Sequence, residues 1–219
     1  MAAVDMDVNA ASYWSERYRR GETGWDLGGE TPVLRELLRQ QSFPLPPRVN
    51  GEQTRVVVPG CGFGHDVILL AREGYDVVGV DFAPEPLRWL ADQLQRQGLQ
   101  AELICEDLFR LPAVWARPAD AVWEYTCYCA IDPRRRGEYF ATMAGLLRPG
   151  GWLVGLFFPL DSMVGGDGPP FVVDTTEAVE LAQQQGFRLV EVVYPKASHP
   201  ARAGREVLLM FQRVTRSMR

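Results

Sequence analysis

The segment Pro59-Gly60-Cys61-Gly62-Phe63-Gly64-His65-Asp66 constrains this chain more than any other. It follows the apolar run Val56-Val57-Val58 and precedes Val67, Leu70 and Ala71, which fall at i, i+3 and i+4 on one helical face. Strand, glycine turn and helix in that order set free helix N–H groups beside a backbone that a ligand can approach closely, because glycine lacks a Cβ and accepts positive φ. A further 21 residues beyond Gly60, Asp81 closes a second apolar run.

Beyond residue 55, strand-like and helical segments alternate. Strands are expected at 56–58, 75–82, 101–105, 119–125, 153–158, 187–194 and 207–211, seven in all. Between them, Leu87, Leu90, Ala91 and Leu94 form one helical face, and Tyr139, Met143, Leu146 and Leu147 another that Pro149-Gly150-Gly151 should stop. A last helix is expected over 175–185. Residues 153–158 are apolar at nearly every position, as befits a strand covered on both faces. The expected class is α/β: a doubly wound, mostly parallel seven-stranded sheet with helices on both faces. A ligand then belongs at the carboxyl ends of the strands. The whole chain, 1–219, reads as one domain, with an N-terminal segment over 1–40, a proline-rich connector over 41–54 and the α/β core over 55–213.

The glycines are spaced G-x-G-x-G, whereas a dinucleotide turn wants a third glycine at position 65, where His65 stands. An acid ending the second strand can accept hydrogen bonds from both hydroxyls of a ribose, and Asp107, after the third, can receive an adenine amino group. A nucleoside without an obligatory pyrophosphate fits, and S-adenosylmethionine is one. Asp66 reads as a stabiliser of the helix N-terminus, and His65 as structural or solvent-facing.

Composition removes other classes. With a formal charge of −5, the chain lacks the broad basic field that nucleic-acid binding exploits. The longest apolar run, 152–160, is far short of the roughly 20 residues that span a bilayer. The acidic N-terminus does not resemble a secretion signal, and Cys61, Cys105, Cys127 and Cys129 lack metal-site or disulfide-scaffold spacing. A cytoplasmic protein with free thiols, no metal, no nucleic-acid partner and no membrane is expected. No heptad or isolated apolar stripe appears, so a monomer is expected.

Val58-Pro59-Gly60-Cys61-Gly62 with His65-Asp66, taken with Val78-Gly79-Val80-Asp81, resembles the thiopurine methyltransferase family, in particular its halide and thiol methyltransferase branch. The resemblance extends to Tyr13-Trp14-Ser15-Glu16-Arg17-Tyr18, Gly21-Glu22-Thr23-Gly24-Trp25-Asp26, Glu124-Tyr125-Thr126-Cys127-Tyr128-Cys129, Leu147-Arg148-Pro149-Gly150-Gly151, Gly165-Gly166-Asp167-Gly168-Pro169-Pro170-Phe171 and Gly186-Phe187. It implies a Rossmann-like class I methyltransferase that uses S-adenosylmethionine and releases S-adenosylhomocysteine. The contacts it implies for that molecule fall on Trp14, Tyr18, Trp25, Gly60, Gly62, Asp81, Asp107, Leu108 and Tyr125. Tyr18 stands where relatives often carry Trp, Gly24 where Pro is usual and Glu124 where Asp is common. Val58 takes the place where most class I enzymes have an acid for the methionine amino group.

Trp14 and Tyr18, at i and i+4, share a helix face. Such a helix can close as a lid whose rings attract a sulfonium by about 0.5–2 kcal/mol. The acceptor implied by the resemblance is a small soft nucleophile: a thiol, hydrosulfide, halide, thiocyanate or thiopurine. An acceptor already ionised needs no general base. Cys127, Tyr128 and Phe171 are expected to line the acceptor pocket, with residues 165–171 as its roof, while Arg202 and Arg205, near the C-terminus, are read as exposed surface arginines in preference to groups that meet an anionic acceptor. The alternatives are an O- or N-methyltransferase, which usually needs a base or a metal, a non-catalytic S-adenosylmethionine-binding module, and an NAD enzyme, which the position of His65 disfavours.

Overall fold

The computed structural model describes residues 7–162 and 168–214. Seven strands form one sheet: β1 (Arg55–Pro59), β2 (Asp76–Asp81), β3 (Glu102–Cys105), β4 (Ala119–Tyr125), β5 (Leu147–Phe157), β6 (Phe187–Val193) and β7 (Val207–Arg213). In space they run β3-β2-β1-β4-β5-β7-β6. The first five are mutually parallel, and β7 runs antiparallel to both β5 and β6.

Strand alternation divides the apolar side chains into two cores. On one face Val57, Val78, Val122 and Leu153 pack with Tyr139, Phe140, Met143 and Leu146 of α5 (Arg136–Leu146) and with Ala178 and Ala182 of α6 (Thr175–Gln184). On the other, Val56, Val58, Trp123 and Val154 pack with Val67, Ile68 and Leu70 of α3 (His65–Arg72) and with Leu90 and Leu94 of α4 (Pro84–Arg96). Successive residues of β1 therefore serve opposite layers, as a period of two requires. The topology reverses between β1 and β4, and the crevice there opens at the carboxyl ends of the strands.

Three sequence expectations change. The strand expected at 153–158 begins at Leu147: Ala119 pairs with Leu147 and Ala121 with Trp152, so Pro149-Gly150-Gly151 is looped out as a bulge inside β5. Gly150, at φ +79°, supplies the turn that a Cβ would strain. The 1–40 segment also divides. Its helix α2 (Pro32–Arg39) buries Val33, Leu34 and Leu37 in the second core, leaving α1 (Ala11–Arg20) and the loop after it beside the crevice. The connector is not wholly irregular either, since Arg48–Val49 pairs antiparallel with Glu52–Gln53.

Candidate active site

The crevice holds a cavity of about 410 Å³. Its walls come from α1 (Trp14, Arg17, Tyr18), the following loop (Trp25, Leu27), the glycine turn (Gly60), the end of β2 (Asp81), the segment after β3 (Asp107, Leu108, Phe109) and the turn after β4 (Thr126, Cys127, Cys129). Phe158, Pro169, Pro170, Ala201 and Arg202 complete it. Trp14, Tyr18, Trp25, Gly60, Asp81, Asp107 and Leu108, seven of the nine residues singled out for a nucleoside, thus meet in one place.

Asp81 ends β2 beneath the turn. Its Oδ2 accepts the Gly62 N–H at 3.0 Å and its Oδ1 accepts the Ala83 N–H at 2.9 Å. Burial pushes its carboxyl up to about 6 despite these donors. Gly60 sits at φ +53°, and a Cβ there would stand 2.8 Å from Cys127 Sγ, so only glycine lets this turn lie against the turn after β4. Asp107 Oδ1 accepts the Phe109 N–H at 3.0 Å and thereby fixes the short helical turn carrying Leu108.

The aromatic wall is a continuous set of edge-to-face contacts. Trp25 packs on Trp14 with centroids 5.3 Å apart and on Tyr18 at 5.4 Å, and Tyr18 packs on Phe63 of the glycine turn at 5.4 Å. Burial pushes the Tyr18 phenol well up, so it is neutral at ordinary pH.

Gly62 and Tyr125 line a second, adjoining cavity of about 270 Å³ rather than the first. There the Gly62 N–H is already committed to Asp81. Both histidines of the chain, His65 and His199, line this second cavity and not the larger one. His65 Nε2 is 3.1 Å from Asp26 Oδ1, giving a partner that sequence did not reveal; that hydrogen bond raises the imidazole pKa and lowers that of Asp26. Asp66 does more than favour a helix terminus: it accepts the Thr31 N–H (2.7 Å), the Thr31 hydroxyl (2.6 Å) and Trp123 Nε1 (2.7 Å), tying α2 to β4.

The expected acceptor pocket is corrected in part. Cys127 and Cys129 line the larger cavity, and burial pushes the Cys129 thiol up to about 12 and the Cys127 thiol well above its ordinary value. Tyr128 does not line it; at 1% exposed it packs between Tyr139, Phe140 and Phe157. Its backbone N–H donates to Glu124 Oε1 at 2.8 Å. Phe171 is also absent from the wall: its N–H donates to the Cys129 carbonyl at 2.7 Å, and Pro169 and Pro170 face the cavity instead. Gly165, Gly166 and Asp167 of the expected roof lie outside the described residues.

Arg202 overturns a sequence expectation. It is 4% exposed, its Nη2 donates to the Trp25 carbonyl at 2.6 Å, and its guanidinium lies over the rings of Tyr125 (4.8 Å) and Phe158 (4.6 Å). Arg205 instead pairs with Asp161. Sequence reasoning also missed Arg17 and Phe158. Arg17 was within reach, since it lies three residues from Trp14 and joins its face. For Arg202 nothing in the sequence signalled its burial or its contact with Trp25, 177 positions away.

A sheet ordered this way with one reversed strand, a glycine turn after β1 and an acid ending β2 has the fold of the class I S-adenosylmethionine-dependent methyltransferases. The model of the thiopurine S-methyltransferase family matches residues 9–217, and the chain belongs to that family. It is similar to probable thiol methyltransferase 2 of Arabidopsis thaliana, 32% identical over 93% of this chain and 85% of that one. Thiocyanate methyltransferase 1 of the same plant is 33% identical over 92% and 84% of the two chains. Among solved structures, the 1,6-didemethyltoxoflavin N1-methyltransferase of Burkholderia thailandensis, with S-adenosylhomocysteine bound, superposes with a TM-score of 0.67 at 21% identity, covering 94% of this chain and 87% of that one. No helix among the described residues is long and apolar enough to cross a membrane.

Proposed function

We propose that this chain methylates a small soft nucleophile, a thiol, hydrosulfide, thiocyanate, halide or thiopurine, by in-line displacement in the larger cavity. The observation that carries the reading is which groups line that cavity: among the described residues neither histidine does, its carboxylates Asp81, Glu106 and Asp107 come from the ends of β2 and β3 where the nucleoside would be held, and burial holds both its cysteines as neutral thiols. An oxygen or nitrogen acceptor would need its proton removed there; a soft anion needs nothing but alignment and loss of water.

Bound S-adenosylmethionine supplies an electrophilic methyl on a sulfonium. The anion's electron pair forms the new bond to carbon, and the electron pair of the broken carbon–sulfur bond stays on sulfur. Asp81 is suited to hold the ribose, since each carboxylate oxygen spends one acceptor position on a backbone N–H and keeps another for a hydroxyl. The rigid peptide of Gly60, packed on Cys127, can approach a nucleoside where any Cβ would intrude. Asp107 and Leu108 stand where an adenine would lie, and Tyr125 backs the transfer site from the neighbouring cavity. Trp14, Tyr18 and Trp25 form the flap: closing over the donor, they exclude water and turn ring faces to the sulfonium. Opposite charges are consumed as the methyl moves, so a dry site favours the less polar transition state.

The setting belongs to the same proposal. Free thiols at all four cysteines suit the cytoplasm, and the chain is proposed to act there as a monomer. The test is turnover of labelled S-adenosylmethionine with iodide, thiocyanate, hydrosulfide, an aryl thiol and a thiopurine, beside a phenol and an amine. Methylation confined to the soft acceptors is expected. Binding of the donor with no turnover on any acceptor would make the chain a non-catalytic module, and turnover of the phenol or amine alone would reverse the acceptor class.

A further inference from the structure

The two cavities meet at the glycine turn. Trp25, Leu27, Gly60 and Thr126 line both of them, so the turn and the flap form a shared wall. Thr126 stands there at φ +65°, a strained conformation for a β-branched residue. Asp81, on which a ribose would rest, lines the larger cavity and is hydrogen-bonded to the turn through Gly62, which lines the smaller one.

A donor built on a nucleoside also carries an amino acid end, whose ammonium group needs an anionic partner once water is excluded. The acids lining the larger cavity, Asp81, Glu106 and Asp107, belong to the nucleoside side, at the ends of β2 and β3. Those lining the smaller cavity are Asp26, Glu30 and Asp66, and they are not equivalent. Asp66 has both oxygens committed to Thr31 and Trp123, and Glu30 pairs with Arg35 at 3.0 Å. Val58, which also lines this cavity, offers no charge. Asp26 differs from its neighbours: its Oδ1 takes the Gly28 N–H at 2.9 Å and faces His65 Nε2 at 3.1 Å, while its Oδ2 has no hydrogen bond among the described residues. The side chain is 23% exposed, so this oxygen is within reach of a ligand in the cavity. The hydrogen bond with His65, then that of Gly28 and the charges of His65 and Arg202, outweigh partial burial and keep the carboxyl ionised.

We infer that Asp26 is the ligand of the donor's ammonium group: the nucleoside occupies the larger cavity, and the amino acid end reaches over the shared glycine turn into the smaller one, onto Asp26 Oδ2. This rests on the methyltransferase reading and extends it by assigning the contact that Val58 cannot make. Because Trp25 immediately precedes Asp26, the same contact holds the ring that packs on Trp14 and Tyr18. Recognition of the amino acid end is thereby linked to closure of the aromatic wall.

The test compares two ligands by calorimetry. S-adenosylhomocysteine carries the amino acid end; methylthioadenosine keeps the nucleoside and a thioether but lacks that end. The ratio of the two affinities is read, so that a loosened loop, which weakens both ligands alike, cancels. In Asp26→Asn the preference for S-adenosylhomocysteine is expected to fall about tenfold or more, the loss of one hydrogen bond to a charged group. Decarboxylated S-adenosylhomocysteine, which keeps the ammonium, should lose as much. An unchanged ratio, or a loss that spares the decarboxylated ligand, overturns the proposal while leaving the methyltransferase reading intact. Failure of the wild-type protein to bind any of these nucleosides overturns both. Should the variant not fold, a crystal structure of the wild-type protein with S-adenosylhomocysteine decides: its amino nitrogen is expected in hydrogen-bond contact with Asp26, and an amino nitrogen bonded only elsewhere overturns the assignment.

Discussion

The Gly62 N–H donates to Asp81 Oδ2 at 3.0 Å, so the glycine turn and the acid that ends β2 are one hydrogen-bonded unit. The carboxylate is thereby oriented before any ligand arrives. A side chain free to rotate would have to lose that freedom on binding.

Asp81→Asn should weaken S-adenosylhomocysteine binding by about ten- to a hundredfold, the equivalent of one hydrogen bond to a charged group. The amide cannot accept from Gly62, Ala83 and both ribose hydroxyls at once, because its nitrogen only donates. Calorimetry checks this, with circular dichroism to show that the fold persists.

The same carboxyl makes cofactor affinity depend on pH. Its pKa is raised from 3.8 to about 6, so the apo protein has this contribution to stability in full below 3.8 and loses it as pH rises through 6. Ribose hydroxyls need the ionised form. Binding should therefore weaken as pH falls below about 6, and the thermal stabilisation by S-adenosylhomocysteine should be larger at pH 7.5 than at pH 5, values chosen to bracket that carboxyl. An equal shift at both would contradict the assignment.

Glu124 gives a purely structural counterpart. It is 1% exposed, accepts from the Tyr128 N–H and the Tyr139 hydroxyl, and burial pushes its carboxyl from 4.5 up to about 7. Raised in the folded state, it stabilises fully below 4.5 and that stability is lost as pH passes 7, a cost of about 3 kcal/mol once ionised. Glu124→Gln should flatten this slope and be the more stable protein in alkaline buffer, as read by urea denaturation.

Gly60→Ala should destabilise the protein by about 1–3 kcal/mol, since it combines positive φ with overpacking against Cys127. Loss of cofactor affinity should accompany it, because the glycine turn must retreat from Cys127. A variant with unchanged melting temperature and binding would show that the contact can relax.

The His65–Asp26 pair joins the loop after α1 to the start of α3. The imidazole pKa is raised from 6.5 by that hydrogen bond, so the pair stabilises fully below 6.5 and its contribution fades above the raised value. Tryptophan emission from the Trp14–Trp25 cluster should report a loosening as pH rises through that raised value. His65→Ala should abolish that transition; its persistence would place the titrating group elsewhere.

The doubly wound sheet was legible in the sequence because each strand carries its own pattern: Val56 to Val58 and the β4 run end where the chain must turn, and the intervening helices show their apolar faces locally. So were the glycine turn and Asp81, which are linked by spacing within one strand-helix-strand unit. Family membership was legible too, from local motifs. Tyr128 and Arg202 were not. A tyrosine between two cysteines points wherever the turn after β4 sends it, and its N–H donates to the Glu124 carboxylate. The Arg202 side chain is remote in sequence from Trp25, Tyr125 and Phe158, against which it packs, and no periodicity encodes a contact between the last strand pair and the loop after α1. Local spacing determined which residues could meet a nucleoside. Closure of the sheet alone decided that Arg202 would be buried against Trp25, Tyr125 and Phe158, because burial and hydrogen-bond geometry arise only when distant segments exclude water together.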